Sequence, residues 1–353
     1  MSERTPAWIG RIVRGEQARV FIPLLLAIVG LAWYTEYYRD NFVAWTNLEN
    51  ILLQVSVLGI VAVGQTFLIA VGELDLSVGT FAGFSAVLAA TQVVDGRSEF
   101  LSVVVVLIVG LLVGAMWGLI VTGLRVPSFI LTLGGLSVFQ SLALVRAENS
   151  PVPVRGYFEW LRTGDLFGLR TPIVLLIVVA VVASLTMRYT RFGRQVYAVG
   201  SSEEVSYLAG LPTARTKIFC YMISSALAAV AGLVLMARIG SGDPRSGGGL
   251  ELRAIAAVVL GGATLAGGRG TPLGSVLGVF VLGIVQAALT FLDVNDSWSD
   301  FVFGSVLIIA VLVTAVSDLR RDSSGKPSIL GPFLRRTPKL DTQPSSDQQP
   351  TET

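Results

Sequence analysis

The sequence has no histidine and a single cysteine among 353 residues, and Lys217, Lys326 and Lys339 are its only lysines. Without histidine the chain lacks the commonest metal ligand and the side chain that titrates near neutrality. A lone Cys220 excludes an internal disulfide and a cysteine-rich metal site. It lies inside an apolar run and reads as a small buried hydrophobe. Charge is scarce as well. Asp, Glu, Lys and Arg make up 14% of the chain, against about 25% in a typical soluble protein. The net charge of +2 points to no acidic partner, and no basic face laced with aromatics points to nucleic acid.

What fills the sequence is apolar residues, 53% of the total, and 38 glycines. A membrane helix needs about 20 mainly apolar residues. Runs of that kind fall near 20–38, 51–71, 76–95, 100–124, 126–145, 172–189, 217–239, 252–268, 272–292 and 300–318. The expected fold is therefore an all-α, polytopic membrane bundle of about ten transmembrane helices, some of them broken. The run at 252–268 is the weakest, being short and rich in glycine.

The first twenty or so residues are polar and basic, and the apolar run after them lacks a small-residue cleavage site, so we expect an uncleaved first span. Lysine and arginine favour the cytoplasmic side of a membrane protein. Placing the N-terminus in the cytoplasm and alternating sides puts most of the 26 basic residues inside, with both termini cytoplasmic. The expected organisation is a cytoplasmic segment at 1–19, a membrane domain at 20–318 with a cytoplasmic loop at 190–216, and a disordered cytoplasmic tail at 319–353. Trp33, Tyr34, Tyr37, Tyr38 and Trp45 cluster where the first span should leave the bilayer, as amphipathic rings do at the headgroup level. Trp160 and Trp298 fall in other external loops. Glycines recur every four residues at Gly110, Gly114 and Gly118, at Gly79 and Gly83, and at Gly274 and Gly278. Such faces let helix backbones approach closely in lipid.

One seam breaks the pattern. "IAVGELDLSVGT", residues 69–80, places Glu73 and Asp75 between two apolar runs. A carboxylate at the bilayer centre costs about 2.5–3.5 kcal/mol on insertion scales. A chain break relieves that cost. Gly72 can end one helix, and Asp75 or Ser77 can cap the next, where the positive helix end stabilises anions. Two compatible readings follow: a cap at the membrane border, or a break facing an aqueous pathway for a polar solute. A second interruption, "GGATLAGGRGTPLGSVLG" at 261–278, carries Arg269 and Pro272. Interrupted segments in corresponding halves often flank a transport path.

The stretch 188–217 is basic at both ends and polar between. Ser201 and Glu204 have capping-box spacing, and Gly210 before Pro212 is a helix stop. A short helix is expected over 202–209, serving either as a lever for a cytoplasmic partner or as a plain surface helix. No motor is encoded: "GGRGTPLG" lacks the lysine of a phosphate-binding loop.

These stretches resemble the ribose-type permease subunits of bacterial ABC importers, in the permease family shared with branched-chain amino-acid importers. "GELDLSVGT" resembles their Gly-Gly-Ile-Asp-Leu-Ser-Val-Gly signature, with Glu73 standing where glycine is frequent. "VPSFILTLGGLSVFQSLAL" at 126–144, "RFGRQVYAVGSSEEVSYLAGL" at 191–211 and "AVVLGGATLAGGRGTPLGSVLG" at 257–278 resemble three further signatures, in the same order. The resemblance covers about residues 50–318.

It implies a permease in the bacterial inner membrane that imports a simple sugar, a ribose-like pentose, a hexose or a polyol, by alternating access. It also implies a second permease subunit, a cytoplasmic ABC ATPase, an extracytoplasmic solute-binding protein, no cofactor and no catalysis by this chain. Gln65, Thr66, Glu73, Asp75, Ser77, Ser128, Thr132 and Gln140, polar residues within or beside spans, are candidates for the solute pathway. On the loop motif, Gly193, Arg194, Ser201, Glu203, Glu204, Tyr207 and Gly210 are candidates for ATPase coupling. A nucleoside or amino-acid cargo stays open. A proton-driven secondary transporter needs a titratable relay, which the absence of histidine and the few acids within spans disfavour. No nucleophile–base pair or metal cluster supports a membrane enzyme.

Overall fold

The computed structural model describes residues 42–294 except 167, with 30, 32–37 and scattered positions from 298 to 312. The segment expected at 1–19 and the tail at 319–353 lie outside the described residues, as do most of the spans expected at 20–38 and 300–318.

The chain is built from α1 (Trp45–Val71), α2 (Val78–Val94), α3 (Glu99–Leu124), α4 (Ser128–Arg146), the single turn α5 (Glu159–Arg162), α6 (Thr171–Tyr189), α7 (Arg191–Ser201), α8 (Glu203–Leu208), α9 (Thr213–Ile239), α10 (Leu250–Leu260) and α11 (Pro272–Phe291). Four two-residue strands pair antiparallel: β1 (Val152–Pro153) with β4 (Ser241–Gly242), and β2 (Asp165–Leu166) with β3 (Leu169–Arg170). Among the described residues six helices, α1, α3, α4, α6, α9 and α11, are long and apolar enough to cross a membrane, and α2 is a shorter apolar helix. The chain is a mostly helical, multi-pass membrane protein.

The weak run at 252–268 is not one helix. It ends at Leu260, and Gly262 adopts a left-handed conformation at φ 92°. The Gly261–Gly262 pair is a helix C-terminus, so the apolar residues after it form a loop. The loop expected at 190–216 is more ordered than its polarity suggested, since α7 and α8 fill most of it.

Helix direction sorts the loops into two ends. Arg170 pairs with Glu49 at 3.1 Å, and Arg146 with Asp95 at 2.9 Å. Trp160 Nε1 donates to Glu99 at 3.0 Å. The starts of α1, α3 and α6 thus meet the ends of α2 and α4. The break at 72–77, the α3–α4 turn, α7, α8 and the loop at 261–271 follow at the other end. The aromatics expected at borders, Trp33, Tyr34, Tyr37, Trp45, Trp160 and Trp298, are exposed; Tyr38 lies outside the described residues.

The glycine faces do pack helices. A Cβ on Gly114 would lie 2.4 Å from the Tyr221 carbonyl oxygen, and one on Gly118 would lie 2.6 Å from Ile218 Cα, so α3 and α9 are in backbone contact. Gly278 meets the Ala257 carbonyl of α10, and Gly79 and Gly83 meet Gly247 in the α9–α10 connection. α1 is the buried centre of the bundle: Ile60 through Val71 are shielded without a gap. By contrast α3, α4 and α6 each expose several large apolar side chains, as lipid-facing helices do.

Candidate functional site

α1 stops at Gly72, which takes φ 87°, while the Glu73 N–H reaches back to the Leu68 carbonyl at 2.8 Å. This satisfies the last carbonyls of α1. Ser77 then occupies the N-cap position of α2, but its side chain accepts no bond from that helix. The expected cap is instead an Asx turn one step earlier. Asp75 Oδ1 accepts from Ser77 N at 2.7 Å and from Ser77 Oγ at 2.6 Å.

Neighbouring helices satisfy the rest of the break. Thr132 Oγ1 accepts from Leu76 N at 3.0 Å, and Ser128 Oγ from Leu74 N at 3.4 Å. Trp117 Nε1 donates to Ser77 Oγ at 3.2 Å, and Gln65 Nε2 donates to the Asp75 carbonyl. Thr66 Oγ1 and Ser275 Oγ share a bond of 2.7 Å that ties α1 to α11. In lipid an unsatisfied backbone group costs several kcal/mol, which explains why hydroxyls and an amide gather around this short irregular segment. Two acceptors in the network, Asp75 Oδ2 and Gln65 Oε1, have no hydrogen-bond partner among the described residues, although both residues are buried.

Five candidates, Gln65, Asp75, Ser77, Ser128 and Thr132, thus converge on one cluster, whereas Thr66 bonds to Ser275 of α11. The other two lie apart. Gln140 donates to the Pro244 carbonyl at 2.9 Å, towards the opposite end of α4. Glu73 turns to Lys217 Nζ, 2.7 Å from its Oε1, with both side chains 10% exposed. Lys217 also meets Glu203 Oε2 at 2.6 Å. Neither Lys217 nor Tyr221, whose hydroxyl lies 3.5 Å from Glu73 Oε2, carried a signal in sequence, since their partners are distant along the chain.

The two interruptions meet. Gly268 N–H donates to the Ala70 carbonyl at 2.9 Å, and Tyr197 of α7 donates to the Gly270 carbonyl at 2.7 Å. A Cβ on Gly200 would fall 1.9 Å from the Ala70 oxygen, and one on Gly267 would fall 3.0 Å from Gly72 Cα. Only residues without Cβ allow this approach.

The short helix over Glu203–Leu208 forms as expected, but its cap is corrected. Ser202 Oγ accepts from Val205 N, whereas Ser201 closes α7 and donates to the Tyr197 carbonyl. Because 191–201 is itself helical, Ser201 is already committed. Gly210, at φ 78°, ends α8 as expected, with the Leu211 N–H on the Ser206 carbonyl. Val205, Tyr207 and Leu208 are 64, 70 and 77% exposed, and Glu204 is exposed beside them. Gly193 is buried where α7 turns off α6, its N–H on Thr190 Oγ1, and Arg194 is exposed.

Broken helices within a bundle of apolar, span-length helices, joined to a polar loop with exposed apolar side chains on α8, define the class of polytopic membrane proteins with discontinuous helices. A family model described as the permease component of branched-chain amino acid transport systems matches residues 47–311, and the chain belongs to that permease family. It is 33% identical over 309 residues to the ribose import permease protein RbsC of Haemophilus influenzae, covering 86% of this chain and 94% of the relative. It is 36% identical over 294 residues to RbsC of Escherichia coli K12, covering 82 and 92%. With the L-arabinose ABC transporter permease protein AraH of Azospirillum brasilense it shares 36% identity over 274 residues, covering 77 and 80%. No solved structure matches the chain.

Proposed function

We propose that this chain is the membrane-spanning permease subunit of an ATP-driven importer that carries a simple sugar into the cytoplasm. The observation that carries the reading is the meeting of both chain breaks against α7, which leads into α8. A solute path closed there opens when the cytoplasmic helices move, which is alternating access. The names of its relatives, for ribose and arabinose, support a pentose or a related sugar. The partners are an ATPase on the exposed face of α8, a second permease copy or homologue, and a binding protein at the opposite end. The chain itself catalyses nothing and takes no cofactor. In this reading the membrane domain spans 20–318 with about ten helices in the bacterial inner membrane, and segments 1–19 and 319–353 lie in the cytoplasm.

Gln65, Thr66, Asp75, Ser77, Ser128 and Thr132 form the gate, with Glu73 at its edge and Gln140 nearer the entrance. Asp75 Oδ2 and Gln65 Oε1 are acceptors without a partner among the described residues, and a passing sugar offers hydroxyl donors. Gly193, Ser201, Glu203 and Gly210 shape the segment that carries the ATPase-docking surface, and Arg194, Glu204 and Tyr207 present it. The family description also supports an amino-acid cargo, which brings an ammonium group in place of hydroxyls. Identifying the ligand that co-purifies with the partner binding protein separates the two: a pentose or hexose supports the proposal, and a branched-chain amino acid overturns its sugar half.

A further inference from the structure

Lys217 lies in the second turn of α9. It is nearly buried, and its ammonium bridges two carboxylates on different segments. Glu73 belongs to the break after α1, and Glu203 opens α8. The two contacts differ in kind. The Glu73 arm is desolvated on both sides, whereas the Glu203 carboxylate is 55% exposed. A second connection runs through α7, where Gly200 presses on the Ala70 carbonyl. That contact is steric and resists approach, but it cannot pull. An ion pair can.

We infer that Glu73, Lys217 and Glu203 form a tether through which displacement of α8 by a docked ATPase pulls on the break at 72–77; the inference rests on the permease reading above. When α8 moves outward, Glu203 draws Lys217, and Lys217 draws Glu73 and with it the segment held by Ser128 and Thr132. Lysine suits this role because it is a flexible point charge with three donors. It can stay bound to both carboxylates as their separation changes. Glu73 is thus a positioning residue for the gate and not a solute contact.

The test is hydrogen–deuterium exchange on the permease–ATPase assembly in nanodiscs, with and without vanadate-trapped ATP. Peptides covering the break and α8 are followed in wild type, Glu73→Gln and Glu203→Gln. These variants cut one arm each and leave the other carboxylate on Lys217, so the lysine is not stranded. In wild type, trapping should change exchange in both segments. In each variant α8 should still respond, while the response of the break falls about threefold or more in Glu203→Gln, the scale of losing one partly exposed ion pair, and at least as far in Glu73→Gln, whose pair is buried. An unchanged break response in both variants overturns the tether. So does a silent α8 in Glu203→Gln alone, which would assign that carboxylate to docking. Silence of both segments in wild type removes the permease reading, and the tether with it.

Discussion

Replacing Lys217 by methionine probes the most concentrated charge cluster in the described structure. Methionine keeps most of the stem volume and deletes the ammonium. Its first effect is to strand Glu73, whose side chain is 10% exposed and whose Oε1 lies 2.7 Å from the lost Nζ. Removing one partner of a buried pair costs about 3–5 kcal/mol, because the remaining charge stays desolvated. The second arm has a different scale. Glu203 is 55% exposed, so water replaces the lysine there and the loss is about 0.2–1 kcal/mol. Glu203→Gln alone should therefore cost no more than about 1 kcal/mol. Glu73→Met combined with Lys217→Met removes both buried charges and should recover most of the stability lost by Lys217→Met, since apolar replacement of a buried pair is often neutral. Reversible unfolding in mixed micelles, titrated with SDS and followed by tryptophan fluorescence, measures all three. A Lys217→Met loss no larger than that of Glu203→Gln, or a double variant no better than Lys217→Met, would refute the assignment of a buried pair.

Four further outcomes follow from the geometry. Gly114→Leu drives a side chain into the Tyr221 and Met222 backbone, which a Cβ alone already meets at 2.4 and 2.5 Å; stability should drop by about 1–3 kcal/mol or more in the same titration. Gly200→Val should disrupt the bond from Gly268 N to the Ala70 carbonyl, and protection of the Gly268 amide against exchange reads this directly. Asp75→Ala removes the acceptor for Ser77 N and Ser77 Oγ, and uptake by the assembled transporter at normal surface level should fall; unchanged uptake takes Asp75 out of the gate. Leu208→Glu places a charge on the bare face of α8, and the amount of ATPase subunit that co-purifies should decline while the permease level in the membrane holds.

Much of this architecture was legible in the sequence, because lipid imposes simple rules. Apolar runs of full length gave α3, α4, α6 and α11 to within two residues, and α1 and α9 with starts six and four residues late. The stop at Gly72 and the glycine faces of α3 and α11 were readable because each depends on one residue type at one place. The run at 252–268 misled because its apolar residues continue past Gly261–Gly262, where the backbone turns. α7 was hidden by its polarity: Arg191, Arg194 and Gln195 interrupt the apolar pattern that marks a span, and its order comes from packing against α1 and the second break. The cap of α8 shifted from Ser201 to Ser202 for the same reason. The polar candidates at the seam were found by composition. Their arrangement was not, because Thr132 and Trp117 meet the break, and Ser275 meets Thr66, through contacts far apart in sequence. Lys217 offered no local sign of its two partners.

The central claim is that this chain is a gated path without a motor. Its most direct test is reconstitution in liposomes, with the purified chain alone and then with its ATPase and binding protein. ATP hydrolysis and uptake of radiolabelled ribose, arabinose and xylose are measured in both. The account predicts neither activity from the chain alone, and ATP-dependent uptake of at least one of these sugars from the full assembly. Hydrolysis by the isolated chain, or uptake that follows a proton gradient without the ATPase, would contradict it.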